Sequence, residues 1–158
     1  MTDYSRRYAQ AGDKLHYVRI AGCYQSVKDC IIQTDFRPDE DIIYERTPGM
    51  GDGIHLLKDG RLFVAAGYCW DGVSGPVKDR KANMRGGFFH DALYHLMRMM
   101  LLDYRLWSEA DKEYAKLLKE DGAWPLTIWA DLKGLRTPIL ARGRAAHPKQ
   151  RRKVKKAP

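Results

Sequence analysis

The hydrophobic positions of the chain change rhythm near its middle. Before residue 67 they come in short runs or alternate with polar residues. "KLHYVRIAG", "DCIIQTDF" and "DIIYER" are β-prone through their branched and aromatic side chains. "IHLLKDGRLFVAAGY" predicts a hairpin, because Asp59-Gly60 supplies the positive φ of a tight turn. "TPGMGDG", residues 47–53, is a loop by its glycines and proline. After residue 87 the spacing becomes helical. Phe89, Leu93, Leu96 and Met100 share one face of a predicted helix 88–102, with Gly86-Gly87 marking its approach. A second helix is expected over 108–121. There "SEAD" resembles a capping box with Asp111 in place of the usual Glu or Gln, Tyr114, Leu117 and Leu118 form the apolar face, and Gly122 ends the run. "WPLTIWADLKG" predicts a third, short helix, with Pro125 near its first position and Gly134 past its end.

Strands followed by helices imply an α+β fold, a small antiparallel sheet in the N-terminal half packed against two or three helices in the C-terminal half. Residues 1–13 read as a polar arm, 14–135 as one domain, and 136–158 as a basic, flexible tail.

Composition narrows this picture. The 158 residues are enough for one domain with a real core, and 44% hydrophobic with 30% charged is a globular balance. No run approaches the roughly 18 apolar residues of a membrane span. "MTDYSRRYAQAGDK" lacks the apolar centre of a signal peptide. Cys23, Cys30 and Cys69 show no CxxC pairing, so a zinc cage is not expected and buried free thiols are.

The net charge of +8 is unevenly placed. From Lys133 onward there are ten Lys or Arg residues and no acid, against 18 basic and 20 acidic residues before it. "RGRAAHPKQRRKVKKAP" has almost no large apolar residues and is expected not to fold alone. Arg142, Arg144, Arg151, Arg152, Lys153 and Lys155 are its candidate anion-binding residues, suited to DNA, an anionic membrane surface or an acidic protein patch. It holds no aromatic residue to stack on bases, which argues against sequence-specific reading of single strands.

Candidate chemistry gathers between the two halves. "GYCWDGVSGPVKDRKANMRGG", residues 67–87, is a long Gly-rich connection in which Asp71, Gly72, Ser74 and Pro76 stand where backbone can approach closely. It runs into "HDALY". His90, Tyr94 and Met97 share one stripe of the predicted helix, and Asp91, His95 and Arg98 the adjoining one. His90 is expected partly buried, and Asp91 at the helix start, facing the loop or solvent, where its charge suits the helix dipole. Asp111 would begin the following antiparallel helix, so its contact with His90 would need a tilted crossing.

"WDGVSGP", "HDALY" and "ADKEY" together resemble the phage and prophage family called domain of unknown function 1353. Its D-G-x-S-x-P loop, H-D-x-L-Y helix start and later A-D pair fall on Asp71, Gly72, Ser74 and Pro76, on His90, Asp91, Leu93 and Tyr94, and on Ala110 and Asp111. The resemblance implies a bacteriophage or prophage accessory protein, placed in the infected host's cytoplasm or in the virion, with other phage proteins among its expected partners. It implies no activity. The Gly-rich loop followed by H-D and a later Tyr is also similar to the secreted calcium-dependent phospholipases of the A-two class. That similarity implies Ca2+ held by loop carbonyls and Asp91, His90 as base, and Tyr94 hydrogen-bonded behind; Asp71 in the loop is a further candidate metal ligand. The paired cysteines of that motif are absent here, and Phe88 and Phe89 precede His90. Two function classes therefore stand open, a phage binding or virion protein with an anion-binding tail and a small metal-assisted hydrolase.

Overall fold

The computed structural model describes residues 3–72 and 78–135. Its strands are β1 (Tyr17–Ile20), β2 (Cys23–Ser26), β3 (Cys30–Gln33), β4 (Ile42–Glu45), β5 (Gly53–Leu56), β6 (Arg61–Val64) and β7 (Cys69–Trp70). Its helices are α1 (Tyr4–Gln10), α2 (Lys81–Arg98), α3 (Trp107–Glu120) and α4 (Pro125–Leu135). The strands form two antiparallel sheets, β1-β2-β7 and β3-β6-β5-β4, rather than one. The α+β architecture is as expected, with the β region packed against α2, α3 and α4.

The larger sheet holds the core because it is covered on both faces. β5 and β6 form the expected hairpin, with Ile54 opposite Val64 and Leu56 opposite Leu62. These four join Phe89, Leu93 and Leu96 of α2 in one apolar cluster. The alternate residues, His55 and Phe63, are also fully buried, on the opposite face. What covers them is α1, which lies in the stretch read as a polar arm. The rings of Tyr4 and Tyr8 meet His55 and Phe63 edge-on. Arg7 bonds Asp29 at 2.7 Å and the Gly51 carbonyl at 2.6 Å, and the Tyr4 hydroxyl bonds Glu45. Two tyrosines and an arginine in a polar heptapeptide are thus an aromatic cover.

The hairpin turn depends on Gly60. Its φ is +90°, and a Cβ there would lie 2.7 Å from the carbonyl oxygens of both Thr34 and Phe36. The smaller sheet is more open. Tyr17, Val18 and Ile20 are exposed on β1, and only Cys30 of the three cysteines is buried, with Cys23 half-buried and Cys69 exposed. Burial pushes the Cys30 thiol up to about 11.

Four expected boundaries shift. α2 begins at Lys81, so Gly86 and Gly87 lie inside it, and it ends at Arg98 rather than at 102, which leaves Met100 outside the helix. β7 and the first turns of α2 occupy both ends of the stretch expected to be one long loop. α3 begins at Trp107 without a side-chain cap, and Ser108 Oγ bonds Glu109 instead of forming a box with Asp111. Gly134 lies within α4. Gly86 explains the first shift. A Cβ on it would lie 2.6 Å from Leu118 Cδ1 and 3.2 Å from the Tyr114 ring. The residue that looks like a helix breaker lets α2 and α3 approach, at about 1 kcal/mol of helix propensity.

Candidate functional site

The earlier start of α2 decides the geometry of the site. Seven residues add about 10 Å of helix before His90. His90 therefore stands in the middle of α2, where an antiparallel α3 brings the first turns of its own chain past it. Arg85 marks the register at the other end, bridging Glu120 and Asp121 at 2.8 and 2.9 Å.

His90 Nε2 lies 2.8 Å from Asp111 Oδ1, and the Tyr94 hydroxyl donates to the same oxygen at 3.1 Å. Asp111 is 0% exposed and His90 8%. An ionised Asp111 can only accept, and against it the imidazole donates from Nε2. The ring is held between Tyr94, centroids 4.4 Å apart, and Tyr114, 5.4 Å. Nδ1 has no hydrogen-bond partner among the described residues. The structure brings His90, Tyr94 and Asp111 together. The expected need for a tilted crossing is corrected by the helix boundary.

Behind His90 lies a second network that the sequence analysis missed. Buried Asp131 accepts from the Tyr114 hydroxyl at 3.0 Å, Asn83 Nδ2 at 3.2 Å and Arg80 Nη2 at 2.5 Å. It ties α4 to the start of α2 and the middle of α3. Burial, followed by the Asp131 charge, pushes the Tyr114 hydroxyl well above the ordinary tyrosine range. Asn83 also accepts from Arg80 N at 2.8 Å, which fixes the first turn of α2. The one signal for Asp131 was its spacing, since it shares the inward stripe of α4 with Ile128 and Leu135.

Asp91 is not at a helix start. It lies mid-helix and half-buried, one position around from His90. Loss of water raises its carboxyl to about 6. His90 and Arg98 pull it down, and the charge of Asp71 pushes it up. Nearby, Tyr68 is pushed above the ordinary tyrosine range by burial and then by Asp91. The Tyr68 hydroxyl reaches His95 Nδ1 at 3.4 Å, and Tyr44 packs on the His95 ring at 4.9 Å. Burial, then Arg98 and Arg46, lowers the His95 pKa.

Asp71 is exposed and precedes Gly72. Gly72 has φ +88°, and the Asp79 carboxylate occupies the space a Cβ would need. Asp79 also accepts from the Tyr24 hydroxyl at 2.9 Å, so it pins the point where the chain leaves β7. Ser74 and Pro76 lie outside the described residues, as do Arg142, Arg144, Arg151, Arg152, Lys153 and Lys155.

Asp91 and Asp71 are two mutually repelling carboxylates, which is the electrostatic setting a cation relieves. Calcium takes about six to eight oxygens. Among the described residues no three His, Cys, Asp or Glu side chains converge. The described side chains thus supply part of such a set and not a complete one.

No family model, curated protein or solved structure matches the chain.

Proposed function

We propose that this protein is a small hydrolase in which His90 is the general base. The observation that carries this reading is the buried pair of His90 Nε2 and Asp111 Oδ1 at 2.8 Å, joined by Tyr94, with Nδ1 left unpartnered among the described residues. A carboxylate on one imidazole nitrogen fixes the tautomer and stabilises the imidazolium that forms when the other nitrogen takes a proton. Nδ1 would take that proton from a water attacking an acyl or phosphoryl centre. Asp111 orients, and Tyr94 holds the Asp111 oxygen in place. A calcium ion, when bound by Asp91 and Asp71, would polarise the substrate oxygen.

The test is hydrolysis of chromogenic esters and phosphodiesters by wild type, His90→Gln and Asp111→Asn, with and without added calcium. Loss of activity in His90→Gln at an unchanged melting temperature supports the reading. Equal activity of both proteins refutes it. Where wild type turns over none of these substrates, acylation by diethyl pyrocarbonate decides: slower modification of His90 than of unfolded protein by many orders would make it a closed structural residue.

The charge distribution favours a second reading, a protein that holds DNA through its C-terminal basic residues, and the motif resemblance would make it a phage or prophage accessory protein. Six phosphate contacts would cost roughly 10³-fold in affinity between 50 and 200 mM salt. Duplex binding that ignores salt, or survives neutralisation of Arg142, Arg144, Arg151, Arg152, Lys153 and Lys155, would exclude it.

A further inference from the structure

We propose that the outer face of α4, with the basic residues that follow it in sequence, docks this protein on the surface of an anionic lipid bilayer. The inference is independent of the chemistry at His90. It starts from a helix that is apolar on two sides. The inner side is ordinary: Ile128, Leu132 and Leu135 pack with Tyr114 and Leu118. The outer side carries Leu126, Trp129, Ala130 and Lys133, at the three- and four-residue spacing of one stripe. Trp124 immediately precedes the helix. Trp124 is 79% exposed, Leu126 73% and Trp129 55%.

Two tryptophans and a leucine facing water on one short helix and the residue before it form a cluster, whereas large apolar surface residues are normally scattered. Their chemistry suits a bilayer interface. Tryptophan pairs an apolar ring with an N–H that prefers the headgroup level. The Lys133 ammonium lies 4.3 Å from the centroid of the Trp129 ring, so a cation stands at the edge of the apolar patch. From Lys133 onward the sequence has ten basic residues and no acid. An apolar stripe flanked by cations is complementary to a surface with anionic headgroups over hydrocarbon. A nucleic acid would use the cations but has no hydrocarbon layer for Leu126. No helix among the described residues is long and apolar enough to cross a membrane.

The test uses the full chain and vesicles of phosphatidylcholine alone or mixed with phosphatidylglycerol. Flotation measures binding, and quenching by brominated acyl chains reports tryptophan depth. The expected result is binding to the mixed vesicles with quenched emission. Trp124→Ser with Trp129→Ser should weaken binding at least tenfold and remove the quenching. Arg151→Gln, Arg152→Gln and Lys153→Gln together should weaken it roughly 100-fold, and only on anionic vesicles. All five positions are judged on variants whose circular dichroism and melting match wild type. Absence of flotation overturns the proposal, as does flotation unaffected by the tryptophan changes. A wild-type dimer that these changes make monomeric would assign the face to a second copy. Duplex DNA binding weakened by them as strongly as vesicle binding would assign it to nucleic acid. Failure here with intact ester hydrolysis leaves the hydrolase reading standing.

Discussion

Replacing Asp111 with Asn separates the orienting role of this carboxylate from its packing. The side chain keeps its volume, so no cavity forms. Oδ1 can still accept both hydrogen bonds, now as a neutral oxygen, while the other carboxylate oxygen becomes a donor nitrogen. The two donors that share it, His90 Nε2 at 2.8 Å and the Tyr94 hydroxyl at 3.1 Å, then meet a neutral oxygen in place of a charged one. A hydrogen bond to a charged group contributes about 1.5–3 kcal/mol and a neutral one about 0.5–1.5. Two bonds weakened by that difference lose about 2–3 kcal/mol, and relief of a fully buried charge returns part of it. A net cost of about 1–2 kcal/mol is expected. Asp111→Ala removes the acceptor of both bonds and should cost about 3–5 kcal/mol. Urea unfolding at neutral pH measures both. The sharper consequence is the tautomer. With Asn the imidazole can turn its lone pair to the carboxamide N–H, which moves the proton to Nδ1 and removes the base. Activity should then fall by about 10²–10⁴, well beyond the stability change. Long-range 1H–15N correlation spectra of His90 read the tautomer without any substrate. The wild type should be Nε2–H and the variant should not. An Nδ1–H tautomer in the wild type, or an Asp111→Ala cost under about 1 kcal/mol, would refute the reasoning.

Three further outcomes follow from the fold. Gly60→Ala forces a Cβ against the Thr34 and Phe36 carbonyls at φ +90° and should cost about 2–3 kcal/mol by chemical unfolding; a neutral result would mean that the turn is remodelled. Gly86→Ala gains about 1 kcal/mol of helix propensity but overpacks Leu118 and Tyr114 by about 1–3, so a net loss of about 1 kcal/mol is expected, and a stabilised variant would contradict the close α2–α3 approach. His55, buried and bonded through Nδ1 to the Tyr8 hydroxyl at 2.7 Å, is lowered from 6.5 to about 4 by desolvation. A depressed histidine favours the fold while both states are neutral. Its contribution is therefore full above about pH 6.5 and falls as pH drops toward 4, by about 3 kcal/mol. The wild type should lose that much more stability than His55→Gln across the window, and equal slopes would place His55 in water.

The legible and the illegible parts of this protein differ in the range of the physics that sets them. The β5–β6 hairpin is local: an Asp-Gly turn between alternating apolar runs dictates its own register. The grouping of His90 with Tyr94 is also local, four residues apart on one helix. The start of α2 is not local, because Gly86 and Gly87 carry a weak intrinsic penalty that packing against α3 overrides. That single boundary then propagated. It put Asp91 at a helix end in the sequence reading, and it made the His90–Asp111 contact look awkward when it is the natural meeting of two antiparallel helices. α1 was hidden for a similar reason. "YSRRYAQ" has no apolar stripe by hydropathy, yet Tyr4, Arg7 and Tyr8 fall three and four residues apart on one face and cover His55 and Phe63. Aromatic and cationic side chains bury their bodies while keeping polar tips bonded, so patterns scored on hydrophobicity alone overlook them. Asp131 is the same lesson inverted. A carboxylate on the inward stripe of α4 looks misplaced until Arg80, Asn83 and Tyr114 are brought from two other helices to bind it. Buried polar residues at core spacing are thus the positions where a sequence announces a tertiary partner without naming it, and in this chain His90, Asp111 and Asp131 are three of them.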